Sequence, residues 1–183
     1  MAVGILILRL VLGCTIAAHG VQKLFGWFGG HGLEKTGKFF DSLGLRPGKL
    51  HALVAGLSEA AGGVLVAAGL LTPLGIAAIV GVMVAAIAIV HLRHGFFAAS
   101  GGIEYPFLLA LAAVAIGYTG AGTYSLDHLI GWTLSGAAWG SGALGLGLLA
   151  AVTVVLSRWA VARSAAGGAV VGMGRHRSRR LAA

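Results

Sequence analysis

Apolar residues fall into five long runs separated by short polar joints: 3–24, 50–71, 74–92, 103–118 and 129–162. A membrane-crossing helix needs about 20 predominantly apolar residues. The first four runs qualify, the fourth by extending through 119–122. The fifth is too long for one upright span. Its glycine-rich stretch, 136–142, predicts a bend or re-entrant turn before a helix at about 140–159. Breaker residues mark the joints: Arg46-Pro47-Gly48 closes the first connection and Thr72-Pro73 makes a tight turn between runs two and three. Proline suits the first helical position because its missing N–H would be unbonded there anyway. The pattern predicts an all-α integral membrane bundle of five helices.

Within the first connection, Leu33, Gly37, Phe40 and Leu43 or Gly44 recur at helical spacing, while Glu34, Lys35, Lys38 and Asp41 face elsewhere. This makes 29–46 an amphipathic segment. Two placements fit: lying on the cytoplasmic interface with Phe39 and Phe40 dipping toward lipid, or packed on the bundle as an ordered loop. The tail, 163–183, is rich in Gly, Ser and Arg without an apolar period. It reads as disordered, with affinity for anionic headgroups.

Composition agrees. Of 183 residues, 58% are hydrophobic and 10% charged, against about 25% charged in soluble domains. The 32 glycines suit close helix packing in lipid. A net charge of +8 does not point to nucleic acid, because the cations cluster beside the apolar runs, as orientation signals do. Lys23, Lys35, Lys38, Arg46 and Lys49 mark the first connection, Arg93 the third, and Arg158 and the following arginines the tail; the second and fourth connections have none. That alternation fits five crossings of the cell membrane, with the N-terminus outside and the C-terminus in the cytoplasm. The first run lacks a basic leader and is interrupted by Arg9, so it reads as a retained span. Cys14 is the single cysteine; it excludes an intramolecular disulfide and reads as a small packing residue.

The informative residues are ionisable groups at membrane depth, where each charged side chain costs roughly 2.5–3.5 kcal/mol at a helix centre. On the first run, Arg9, Gly13, Ile16, Gly20 and Lys23 fall within about 40° of one line, with His19 one turn before Lys23. On the second, Ala52, Ala55, Gly63 and Val66 lie within about 40° of Glu59. Rises of 1.5 Å per residue place Glu59 between His19 and Arg9 in depth, and either could pair with it. Glu59 and His19 are the candidate proton carriers, Arg9 and Lys23 the charge balance or anion attraction. His91 and His94 share a helix face, but two histidines alone are weak evidence for a metal, and none is assigned. Glu104 opens the fourth run, either as a helix-start carboxylate or closing the cytoplasmic mouth with Arg93 or His91. Asp127 follows that run, either capping a helix or pairing with Arg9.

Several motifs in order resemble DoxX family membrane proteins: Arg9-Leu-Val-Leu-Gly13 with His19-Gly20-Val-Gln22-Lys23, Glu59-Ala-Ala-Gly62-Gly63 with Gly69-Leu-Leu-Thr72-Pro73, His91 with Gly95-Phe96, Gly101-Gly102-Ile-Glu104-Tyr105-Pro106, and Tyr124-Ser-Leu-Asp127. The resemblance spans about 3–128. It implies a four-helix membrane core over 1–128, to which 129–162 adds a further membrane segment. It also implies Arg9, His19, Lys23, Glu59, His91, Glu104 and Asp127 as candidate site positions. The family is named for likeness to subunits of an archaeal thiosulfate:quinone oxidoreductase. Some members associate with superoxide dismutase and a thiosulfate sulfurtransferase. The resemblance therefore implies a subunit of a quinone-linked system handling sulfur compounds or oxidative stress, in the lipid bilayer, with quinone as its small-molecule partner and oligomers allowed. The sequence carries no flavin, iron–sulfur or haem motif, so electrons would come from a partner. A non-catalytic anchor for cytoplasmic enzymes and a small-molecule carrier are the alternatives.

Overall fold

The computed structural model describes the backbone of residues 2–180 and the side chains through Ala160. Among the described residues all regular structure is helical. The helices are α1 (Ala2–Phe25), α2 (Gly32–Ser42), α3 (Gly48–Ala68), α4 (Thr72–Ala86), α5 (Glu104–Thr119), α6 (Leu126–Leu129) and α7 (Ala137–Arg180). α4 continues through a π turn, Ile87–His91, and a 3-10 turn, Leu92–His94. Four helical stretches are long and apolar enough to cross a membrane: Ala2–Phe25, Gly48–Ala68, Thr72–His94 and Ala137–Ala160; the shorter α5 is also apolar. Trp139 and Trp159 are exposed on α7 and, at 1.5 Å per residue, stand roughly 30 Å apart. That matches a hydrocarbon core with an aromatic residue at each interface.

The glycines explain how the bundle closes. Gly13 and Gly20 of α1 face Gly63 and Gly56 of α3, running antiparallel. A Cβ added at Gly13 would stand 2.5 Å from the Gly63 carbonyl oxygen, and one at Gly20 would stand 2.6 Å from that of Gly56. Each pair is separated by two helical turns along its helix, so the backbones touch along a seam. Lipid supplies no hydrophobic drive between helices, and small residues permit this van der Waals contact. α4 packs on α3, with Gly62 against Gly75 and Ala78, and α5 packs on α4. α7 lies on α4 and α5, with Gly147 against Val80 and Gly140 against the Tyr118 ring. Leu12, Ile16, Val66, Ile76, Ile79, Val80, Ala113 and Ile116 form the central core.

The buried face of α1 is Arg9, Leu12, Gly13, Ile16 and Gly20, and that of α3 includes Ala52, Gly56, Glu59, Gly63 and Val66, as the helical periodicity predicts. α2 packs on the bundle, against α3 and α1. Thr36 and Gly37 are its buried residues, and Gly37 lies against the backbone of Lys49. Asp41 caps α3 by accepting from the Gly48 N–H at 2.7 Å. Phe39 is exposed, whereas Phe40 turns inward against Leu43, Leu45 and Ile89. Glu34, exposed beside Lys49 at 3.1 Å, is held below the usual carboxylate range, first by the hydrogen bond from Lys49 and then by its charge. Whatever it contributes is present above the ordinary glutamate range and lost as pH falls through the lowered value.

Three expectations change. The stretch 136–142 forms no re-entrant turn: only Gly136 has a positive φ, of 86°, and the helix runs from Ala137. Cys14 is exposed on the outer side of α1 rather than packed. The backbone of α7 stays helical to Arg180, through tail positions where the composition predicts no regular structure; 181–183 lie outside the described residues. Gly44 in the α2–α3 joint lies beside the Arg158 side chain, so the far end of α7 shares a face with α2. The beginning of α1 lies at the opposite face.

Gly63→Val should separate α1 from α3, because the added atoms meet backbone rather than a movable side chain. The loss should exceed the roughly 1–3 kcal/mol typical of overpacking and appear as a sharp fall in folded, monodisperse protein after detergent extraction. Gly142→Ala, with nothing within 4 Å of the added methyl, should melt at or slightly above the wild-type temperature.

Candidate functional site

The seam between α1 and α3 brings two groups of polar residues together, one at each end of α1. Toward the α2 face, Lys23 lies two turns beyond Ile16 and meets α3 near Gly56. Its ammonium donates to Glu59 Oε2 at 2.5 Å. Glu59 is 2% exposed and the Lys23 side chain 25%. Lys23, and neither His19 nor Arg9, is therefore the direct partner of Glu59. A buried carboxylate needs a nearby cation and hydrogen bonds to stay charged, and Lys23 supplies both.

His19 points to the other side of α1. Its Nδ1 lies 3.1 Å from Gln22 Oε1 and its Nε2 3.2 Å from the Tyr105 hydroxyl. Gln22 Nε2 donates to the Phe28 carbonyl, which turns Oε1 toward the imidazole. The Nδ1 position then carries the proton, and Nε2 accepts from Tyr105.

A cavity of about 320 Å³ lies in the groove between α3 and α7, over α4, with α2 beneath it. Lys23 and Glu59 are in its wall, and Ala77, Ala78, Gly81, Val82, Ala85 and Ala86 of α4 form its apolar floor. His51 and His91 also line it, with Phe39, Phe40, Leu43 and Leu45 toward the α2 face. His91 belongs to the π turn, a geometry often found at functional sites, and its Nδ1 donates to the Gly101 carbonyl at 2.7 Å. Glu104 accepts from the Ala98 N–H at 2.8 Å. His91 and Glu104 thus both hold the 95–103 loop; Glu104 is not among the cavity's lining residues, and among the described residues it makes no ion pair with Arg93 or His91.

Arg9 sits at the opposite end and does not reach Glu59. It is 1% exposed. Its Nε donates to the Val66 carbonyl and Nη2 to that of Ala67, while Nη1 donates to Ala121 and to Tyr124. A single guanidinium therefore ties α1 to the end of α3 and to the α5–α6 joint. The Cβ of any other residue at Gly69 would stand 2.6 Å from the Arg9 guanidinium carbon, and the φ there is +64°; glycine satisfies both demands. Asp127, 2% exposed, takes the capping role: it accepts from the Leu71 and Thr72 N–H groups and the Thr72 hydroxyl at 2.7–3.1 Å. Leu71 has φ +46°, a strained conformation for a non-glycine residue, and the Asp127 carboxylate holds it. Arg9 and Asp127 make no direct ion pair.

Tyr105 and Gln22 are site members that the sequence reading did not single out. Gln22 carried a signal, standing three residues after His19 on the same face. Tyr105 carried none, because its contact depends on how α5 docks.

The DoxX family model matches residues 4–92, about half of the chain. The chain belongs to the DoxX family. The matched segment contains α1 to α4, and with them Arg9, His19, Lys23, Glu59 and His91. No curated protein and no solved structure matches the chain.

Arg9→Lys should cost about 2–4 kcal/mol, since an ammonium cannot replace a guanidinium spanning four carbonyls and charged hydrogen bonds contribute about 1.5–3 kcal/mol each. Thermal melting in detergent micelles should show the drop, while ligand affinity at the distant cavity, measured below the melting point, stays within about twofold of wild type.

Proposed function

We propose that this chain is the membrane subunit of a quinone-linked oxidoreductase system, handling sulfur compounds or oxidative stress, and that the cavity beside Glu59 receives the quinone ring. The observation that carries this reading is the Lys23–Glu59 pair, its carboxylate buried, set in the wall of a largely apolar cavity. Pockets for small apolar ligands combine apolar walls with a few polar groups that fix orientation. The cavity fits the ligand class: flat apolar surface for a ring, one cationic donor for a carbonyl oxygen, and a groove bounded by helices through which a tail could reach lipid.

A quinone supplies two-electron chemistry coupled to the uptake of two protons, with the electrons coming from a redox partner. This chain's residues do the rest. Lys23 donates to a carbonyl oxygen and offsets the negative charge that builds there. Glu59 takes and gives a proton at Oε2, the atom that faces Lys23. His19, whose Nδ1 and Nε2 are taken up by Gln22 and Tyr105, is not among the residues that line the cavity and takes no direct part. His51 and His91 line the cavity's outer end and add two imidazoles to its polar rim. Superoxide dismutase and thiosulfate sulfurtransferase are the partner classes implied by the resemblance. The exposed Lys35, Lys38, Arg46 and Arg93 offer such partners a basic face, oriented to the cytoplasm by the positive-inside rule. The same face also favours the anchor reading.

The test uses purified protein in nanodiscs and a photoreactive benzoquinone with a short tail. Labelling should map to the cavity walls on α3, α4 and α7. Glu59→Gln and Lys23→Met should each weaken binding at least about tenfold, which is 1.4 kcal/mol, with the bundle still folded. Equal labelling of wild type and Glu59→Gln would remove the quinone site; if partner recruitment also survived, a non-catalytic anchor would be left.

A further inference from the structure

We infer that α7, which lies outside the family-matched segment, sets the width of the ligand the cavity admits, with Ala150 as the specificity-determining residue opposite Glu59. This deepens the quinone reading and rests on it.

Three observations converge. First, the matched segment ends at Leu92, the start of the 3-10 turn after α4, yet Ala150 and Val154 of α7 line the cavity. Second, the level of Ala150 is fixed by close contacts. Gly147 is locked against α4, since an added Cβ would lie 2.8 Å from Val80 and 2.9 Å from the Ala77 carbonyl oxygen. A Cβ at Gly81 would meet the Ala150 methyl at 3.3 Å. On the other side of α4, Gly62 abuts Ala78. One turn from Gly62 is Glu59, and one turn from Ala78 is Gly81, in antiparallel helices. Glu59, Gly81 and Ala150 therefore stand at one depth, with Gly81 between the other two.

Third, α7 cannot easily shift to make room. Its Val154 and Val155 pack on Leu43, Leu45 and Ile89, and Arg158 lies along Gly44. The contacts at Gly147, Val154 and Arg158 bracket Ala150 on both sides. A ring whose carbonyl meets Lys23 and Glu59 thus has its opposite edge against the Ala150 methyl. The site takes a narrow ring on that edge, and the side chain at 150 sets how large a ring substituent fits.

The experiment compares two photoreactive benzoquinones with the same tail, one unsubstituted on the ring and one carrying two methoxy groups, against wild type, Ala150→Gly and Ala150→Val in nanodiscs. Both substitutions change volume by only one or two carbon atoms. Ala150→Val should lower affinity for the dimethoxy probe at least about fivefold relative to the unsubstituted one, and Ala150→Gly should shift the ratio the other way. Thermal melting confirms that each variant is folded. A ratio unchanged in both variants, with wild type binding both probes, overturns the inference and leaves the quinone reading standing. Failure of wild type to bind either probe sinks the quinone reading, and this inference with it.

Discussion

Backbone contact between α1 and α3 decides where Arg9, Lys23 and Glu59 go. With glycine at positions 13, 20, 56 and 63, the two helices approach until main chain touches main chain. The long side chains on the same face cannot fit at the seam, so they extend past its ends. At one end Arg9 reaches the Val66 and Ala67 carbonyls in the last turn of α3, where a helix runs short of intrahelical donors. At the other end Lys23 reaches Glu59. A single geometric constraint thus produces two polar sites of different character.

The two sites differ in what remains to be satisfied. Around Arg9, four backbone carbonyls take up the guanidinium, and Asp127 is saturated by the start of α4. That end holds the helices and the strained Leu71 in place, and it reads as structural. At the Lys23–Glu59 end the pair borders open apolar volume. A charge pair beside a cavity can exchange one partner's hydrogen bond for a ligand's, which the Arg9 cluster cannot do without breaking the fold. The membrane therefore sharpens the contrast: both charge sets are expensive to bury, but only one is arranged to meet something else.

Much of this was legible in the sequence because a bilayer reduces the problem to length and periodicity. Helix positions followed from apolar runs, and the inward faces of α1 and α3 followed from 100° steps. Arg9 lies deeper than Glu59 as the rise per residue predicts, but Glu59 stands level with His19 and Gly20 rather than beyond them, and depth on separate helices does not give rotation or lateral distance. For that reason Lys23 was read as charge balance when it is the direct partner of Glu59, and Arg9 was placed near a carboxylate it never approaches. The Tyr105–His19 contact and the inward turn of Phe40 depend on docking across the bundle and left no local signal. The glycines of 136–142 read as a break, yet Gly140 serves the packing of α7 against Tyr118. In lipid, glycine serves close helix contact as well as bending.

Native mass spectrometry of the protein released from its own membrane tests the central claim, that the Lys23–Glu59 cavity holds a quinone, most directly. The account predicts a retained adduct with the mass of a membrane quinone on the wild-type protein, lost in Glu59→Gln and kept in Arg9→Lys. Adducts of phospholipid alone, or a quinone adduct indifferent to Glu59→Gln, would contradict it.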